Sequence, residues 1–205
     1  MRRNYESGPL DETDVAAEPV EQFTRWFDEV SAADIRDVNA MALSTVDAAG
    51  RPSSRIVLLK EADDKGLVFF TNGASRKGQE MAGDPFACIL FHWRECDRQV
   101  RVEGRIEQIP AAESDEYWAS RPHASQVSGW ASPQSQVVGS RKELEDLETE
   151  AADRFPDAVP RPEAWGGFRL VPDCWEFWQG RPSRLHDRLR YGLVDGQWNL
   201  ERLAP

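Results

Sequence analysis

Cysteine is scarce: Cys88, Cys96 and Cys174 are the only three in 205 residues, with no C-x-x-C spacing. That excludes a disulfide framework and a cysteine-built structural zinc site. His92, His123 and His186 stand apart from one another and from the cysteines, so metal chemistry finds no support either. Basic charge is also short, with 36 acidic against 25 basic residues and a net charge of −11. A molecule of that sign repels nucleic acid and anionic membranes as a whole. Apolar runs such as IVLLK at 56–60 are far too short to cross a bilayer. The first ten residues lack the apolar stretch of a secretory signal, and with an odd set of thiols the chain reads as cytoplasmic. There is no G-x-G-x-x-G after a strand pattern, no Walker A sequence and no G-x-S-x-G. Dinucleotide-binding Rossmann folds, P-loop enzymes and serine hydrolases of the elbow type are thereby disfavoured.

What is present is a foldable core: 40% hydrophobic residues, with eight Trp and nine Phe. The length predicts one domain over 19–205, preceded by a polar, acidic arm over 1–18 that is mobile unless something docks on it. Val20, Phe23, Phe27 and Val30 recur at helical spacing behind Pro19 and predict the first helix. Strands are expected at 41–46, 54–60 and 66–71, a short helix at 75–83, then strands at 86–93 and 98–109. Helices follow at 111–120 and 140–155, the second with Leu144 and Leu147 on one side and a solvated acidic face on the other. Strand-like runs at 167–171, 174–179, 185–194 and 197–203 close the chain. Short strands that do not alternate with helices predict a mainly β fold, an antiparallel barrel with peripheral helices.

Four constellations are suited to anions. Arginine makes up 21 of the 25 basic residues, and its planar donor fork fits phosphate and carboxylate. The count reflects either anion binding or merely genomic base composition, so position must carry the functional reading. Arg55 and Lys60 flank one strand run at odd spacing. They are either two exposed edge charges, or partners on one ligand brought together by a bulge or a subunit boundary. Thr71-Asn-Gly-Ala-Ser75-Arg76-Lys77 joins a strand end to a helix start, as a phosphate cradle or as a plain cap with surface charge. Tyr117, Arg121 and Ser125 offer a ring, a cation and a hydroxyl to a flat phosphorylated ligand, or else a solvent-facing Tyr–Arg stack. Alternation over Arg184, His186 and Arg188 puts all three on one strand face, a poor way to build a core and a reasonable way to hold an anion. Anion-ready clusters without a nucleophile or metal suit an enzyme whose chemistry belongs to a phosphorylated cofactor.

These motifs, with R-Q-V (98–100), Q-S (134–135), W-G-G-F-R (165–169) and E-F-W-Q-G-x-x-x-R-L-H-D-R (176–188), run in an order that resembles the pyridoxine/pyridoxamine 5′-phosphate oxidase family. The resemblance implies an FMN-binding antiparallel split β-barrel acting as a homodimer, with FMN at the subunit boundary. It implies oxidation of pyridoxine or pyridoxamine 5′-phosphate to pyridoxal 5′-phosphate, with O2 reduced to H2O2. FMN would be held by Arg55, Ile56, Val57, Leu58, Leu59 and Lys60, and by Phe70 and Thr71. Arg76, Lys77, Gln99, Gln134, Ser135, Trp178 and Arg188 would complete that set. The substrate would meet Lys60, Tyr117, Arg121, Ser125, Arg184, Leu185 and His186, with Arg2 and Tyr5 on an arm closing over it. Arg184 and His186 would orient the reacting substituent. Phe70 departs from the family's more frequent Tyr and removes a hydroxyl near the flavin; Pro133 before Gln134-Ser135 is a second departure. The alternatives are an oxidase of the same fold in the phenazine-biosynthesis branch, and a non-catalytic carrier of flavin or pyridoxal phosphate.

Overall fold

The computed structural model describes residues 8–33 and 35–205. The chain runs α1 (Pro19–Ala32), β1 (Ala40–Val46), β2 (Pro52–Leu58), β3 (Glu61–Asp63), β4 (Gly66–Asn72), α2 (Arg76–Gly83), β5 (Phe86–Trp93) and β6 (Arg98–Gln108). It continues with α3 (Ala111–Ser120), α4 (His123–Ala131), α5 (Arg141–Arg154), β7 (Trp165–Gln179), β8 (Asp187–Val194) and β9 (Gln197–Arg202). Among the described residues nine strands form one sheet in the order β2-β1-β5-β6-β7-β4-β3, with β8 on β7 and β9 on β8. Every pairing is antiparallel. The sheet curls until β2 approaches β4, which makes the expected split barrel.

Period-2 patterning sets the inner face. Ala87, Ile89, Phe91 and Trp93 of β5 and Val100, Val102 and Ile106 of β6 are buried, while their neighbours along each strand are not. The interior is filled by α1, whose Phe23 meets Phe91, Trp93 and Trp175 and whose Trp26 meets Phe177 edge-on. A fully buried aromatic of this kind contributes roughly 1.5–3 kcal/mol.

β7 is the spine. The strands expected separately at 167–171 and 174–179 are one strand of 15 residues, pairing β6 along its length, β4 through its first half and β8 through its second. The apparent break is Pro172, which sits where the β6 register shifts between Glu103 and Gly104, a bulge that tolerates a residue without an N–H. Two elements escaped the sequence reading: β3 is three residues long with two acidic residues, and α4 starts behind Pro122, which occupies the N-cap position of the helix.

Part of the segment read as an arm is docked. Leu10 and Ala16 are buried, the Leu10 N–H donates to Asp187 Oδ2 at 3.1 Å, and the Tyr191 hydroxyl donates to the Ala16 carbonyl at 2.7 Å. Arg202 holds Glu12 and the Leu10 carbonyl, so the chain is tied down from Leu10 onward. Arg2 and Tyr5 lie outside the described residues.

α3, α4 and α5 pack into a second core around Trp118, Val127, Ala151, Val159 and Trp165. This helical cap is locked to β7 by the Gly167 N–H donating to Ser114 Oγ at 3.0 Å. On the opposite side of β4, α2 packs so closely on the preceding turn that a Cβ at Gly78 would lie 2.2 Å from the Gly73 carbonyl oxygen. Gly78→Ala therefore costs about 1–3 kcal/mol in stability despite the better helix propensity of alanine. A denaturant midpoint equal to wild type would contradict that contact.

Candidate active site

The route of the chain between β2 and β4 brings Arg55 and Lys60 together. β2 pairs with β1 as far as Leu58; the Leu59 N–H then turns to the Asn39 carbonyl at 2.8 Å, and the Lys60 N–H to the Val68 carbonyl of β4 at 2.9 Å. Regular alternation ends there, so both cations line one cleft of about 580 Å³ within a single chain, with no need of a subunit boundary. Ile56, Val57 and Leu58 line it too, with Ile56 65% exposed. Leu59 does not: its side chain is buried in the core, which leaves only its backbone to face a cofactor.

One end of the cleft is built around α2. Asn72 Oδ1 accepts the Ala74 N–H, and the buried Ser75 caps the helix by accepting the Gly78 N–H. Lys77 Nζ is aimed inward and donates to Thr71 Oγ1 at 3.2 Å and Gln134 Oε1 at 3.2 Å. Burial, then the nearby Arg55 cation, push the Lys77 ammonium below its ordinary range against the opposing pull of Glu80. Arg55 is held from several sides, by the Leu43 carbonyl at 3.0 Å, Thr45 Oγ1 at 2.6 Å, Ser53 Oγ at 2.5 Å and Glu80 Oε2 at 3.1 Å. Arg76 donates to Glu80 Oε1 at 2.7 Å and is otherwise exposed. Ser135 is exposed with φ +71°, beside Gln134, which lines the cleft.

The other end is aromatic and cationic. Phe70 of β4 stacks on Tyr117 of α3 at 3.9 Å and on Trp165 at 5.4 Å. Lys60 Nζ lies 5.6 Å from the Tyr117 ring centre. Of the two alternatives for this motif, the solvent-facing Tyr117–Arg121 stack does not form. Arg121 instead lies over Trp118 and Trp165 at 4.9 and 5.0 Å. Among the described residues its buried Nη1 has no hydrogen-bond partner, and desolvation lowers its pKa. Ser125, on the first turn of α4, lines the same space. A half-buried guanidinium with an unspent donor is a ready receptor for an oxyanion.

A second group sits elsewhere. Gln99, Trp178 and Arg188 are register partners across β6, β7 and β8. Arg188 is held by Glu176 at 2.8 Å and the Ala204 carbonyl at 2.8 Å. The expected alternation of Arg184, His186 and Arg188 on one strand face is not found. β8 begins at Asp187, and Ser183 and Arg184 have φ of +57° and +64° in a 3₁₀ turn over Pro182–Arg184, which breaks the strand geometry. Arg184 and Leu185 project from this turn into solvent. His186 packs against Trp178 at 4.7 Å, and its Nδ1 accepts the Arg181 N–H at 3.1 Å, so in the neutral ring the proton sits on Nε2. Gly167, opposite Phe70, and Trp178 are eleven residues apart on β7, about 36 Å of strand contour. Each cluster is complete in one chain, but this chain does not bring the two together around the cleft.

Two residues without an assigned role prove central. Trp165 forms a wall of the cleft, and Glu80, 6% exposed, takes donors from three elements. The Arg76-x-x-x-Glu80 spacing was the available signal for the latter. Burial opposes ionisation of Glu80, but hydrogen bonds from Thr45, Ser53 and Arg76 outweigh it and hold the carboxyl at about 2. That lies below its ordinary 4.5, so the stability contributed by the ionised group is full above the ordinary value and is lost as pH falls toward 2. The thermal midpoint of wild type will fall more steeply than that of Glu80→Gln between about pH 5 and pH 2. Parallel profiles would contradict the burial of this ion cluster.

The pyridoxamine 5′-phosphate oxidase family model matches residues 27–151, and the pyridoxine 5′-phosphate oxidase C-terminal dimerisation region matches 165–205. Pyridoxine/pyridoxamine 5′-phosphate oxidases of Cupriavidus pinatubonensis and Ralstonia pickettii are each 55% identical over 206 residues, covering 100% of this chain and 97% of the relative. PhzG from Burkholderia lata 383, crystallised in complex with tetrahydrophenazine-1-carboxylic acid, is 33% identical with a TM-score of 0.91, covering 97% of this chain and 99% of that one. A pyridoxamine 5′-phosphate oxidase-related, FMN binding protein from Nostoc punctiforme, 19% identical with a TM-score of 0.73, shares the fold over 93% of this chain and 100% of its own. With both halves matched and the motifs gathered at one cleft and one turn, the chain belongs to the pyridoxamine 5′-phosphate oxidase family.

Proposed function

We propose that this protein is an FMN-dependent oxidase that converts pyridoxamine or pyridoxine 5′-phosphate to pyridoxal 5′-phosphate, in vitamin B6 biosynthesis or salvage. The observation that carries the reading is one cleft with two separate cationic ends: Arg55 and Lys77 at α2, and Arg121 with Lys60 beneath the helical cap. Two ends suit two phosphates, one from the cofactor and one from the substrate. The α2 end fits FMN by its donor chemistry: Arg55, Arg76 and Lys77 face a single carboxylate, Glu80, and Lys77 is already desolvated. Arg76 would reach the phosphate from the exposed rim.

When bound, FMN supplies the two-electron acceptor that oxidises the substrate's C4′ and hands the electrons to O2 as H2O2; the amine substrate additionally takes up water and releases ammonia. The chain's own share is placement. Arg121, Ser125 and Lys60 grip the substrate phosphate, while Tyr117, braced by Phe70, borders the pyridine ring. Phosphate anchoring at one end and flavin anchoring at the other set the reacting carbon against the cofactor. Arg184, Leu185 and His186 reach the substrate from the second subunit of a homodimer, completing a site that neither chain forms alone. Gln99, Trp178 and Arg188 add to the flavin contacts from the same side. Arg2 and Tyr5 are assigned to a closing arm. We assign the protein to the cytoplasm, where its thiols stay reduced.

The test is an anaerobic titration of the FMN-loaded protein with pyridoxamine 5′-phosphate. Bleaching of the oxidised flavin band, reversed by air with release of pyridoxal 5′-phosphate, is the expected result. A band bleached only by a reduced phenazine carboxylic acid, of the kind bound by PhzG, would transfer the protein to that substrate class. A band that stays oxidised with both would overturn the oxidase reading.

A further inference from the structure

The motif that marks the α2 end stops at Lys77, three residues short of Glu80. Yet Glu80 is the hub of that end. Its side chain is 4% exposed, against 20% for Arg55 and 58% for Arg76. Oε2 accepts from Thr45 Oγ1 of β1 at 2.5 Å, from Ser53 Oγ of β2 at 2.7 Å and from Arg55 Nη2 at 3.1 Å, while Oε1 accepts from Arg76 Nε at 2.7 Å. A carboxylate with these donors spent is neither a free base nor an open ligand. It is a fixed anion gripping one edge of each of two guanidinium groups from different elements.

We propose that Glu80 is a positioning residue for anion binding: it locks Arg55 and Arg76 so that the Nε–H of Arg55 and the two Nη groups of Arg76, together with Lys77, receive the cofactor phosphate. The inference rests on the FMN reading above and adds to it the residue that sets the geometry of the phosphate end. A rival role predicts the opposite sign. If Glu80 merely dilutes positive charge, removing its negative charge strengthens attraction for a phosphate dianion. If it orients the arginines, removing it lets both guanidinium groups swing and weakens phosphate binding, even though the site has become more positive.

The experiment compares the affinities of FMN and riboflavin, which lacks the phosphate, by quenching of flavin fluorescence in wild type, Glu80→Gln and Thr45→Val. Thr45→Val keeps the carboxylate and every cation but removes the hydroxyl that contacts both Arg55 and Glu80. The expected result is an FMN Kd raised about tenfold in Glu80→Gln, with riboflavin affinity changed less than about twofold. Thr45→Val should lose FMN affinity in the same direction and by a smaller factor, and it decides the matter if Glu80→Gln does not fold. Unchanged or tighter FMN binding overturns the proposal, as does an equal loss for both flavins, which marks a purely structural role. A wild type with no preference for FMN over riboflavin overturns the FMN reading itself, an outcome separate from failure of Glu80 alone.

Discussion

The fold depends on one constraint: β7 must run unbroken for 15 residues while serving different neighbours at its two ends. Its first half supports β4 and, through Ser114, the helical cap; its second half supports β8 and the turn that carries Arg184 and His186. The bulge opposite Pro172 lets the strand curve without losing its ladder to β6. The same continuity separates the two functional groups by tens of ångströms of strand. On the proposed reading a ligand that meets both draws them from two chains, which would give the match to a dimerisation region over 165–205 a chemical meaning.

Electrostatics is organised locally against the net charge of −11. Among the described residues, two buried glutamates, Glu80 and Glu176, each meet a pair of arginines, Arg55 with Arg76 and Arg101 with Arg188. For Glu176 burial resists ionisation, and the hydrogen bond from Arg188 and the charge of Arg101 overcome it. In both clusters an anion fixes the cations in place. Arg121 differs: it is braced by indole rings and retains a buried donor without a partner among the described residues. Cations held by carboxylates are fixed in orientation with part of their donors spent, whereas one held by aromatic faces keeps more of its hydrogen-bonding capacity.

The sheet was legible because its alternation is strict: β5 and β6 follow the buried-exposed rhythm almost residue by residue. Elements were lost where local chemistry imitates a boundary. Pro172 falls in the gap between two expected strands and sits at a bulge, and Pro122 is the N-cap residue of a helix that the spacing did not predict. Spacing arguments failed where the backbone leaves regular geometry, at the β2–β3 transition that unites Arg55 with Lys60 and at the left-handed Ser183 and Arg184. Motif resemblance named most residues that line the cleft. It could not reveal that Leu59 faces the core or that Glu80 ties the arginines together, because both are facts of three-dimensional packing.

The central claim is that each site takes its cleft from one subunit and its Arg184–His186 turn from the other. Co-expression of Lys60→Ala and Arg184→Ala chains tests it, since each homodimer carries two damaged sites while the mixed dimer carries one intact and one doubly damaged site. With random pairing the mixture should regain about a quarter of wild-type oxidase activity, although each parent alone is nearly inactive. A mixture no more active than its parents would contradict the shared site and return both groups to a single chain.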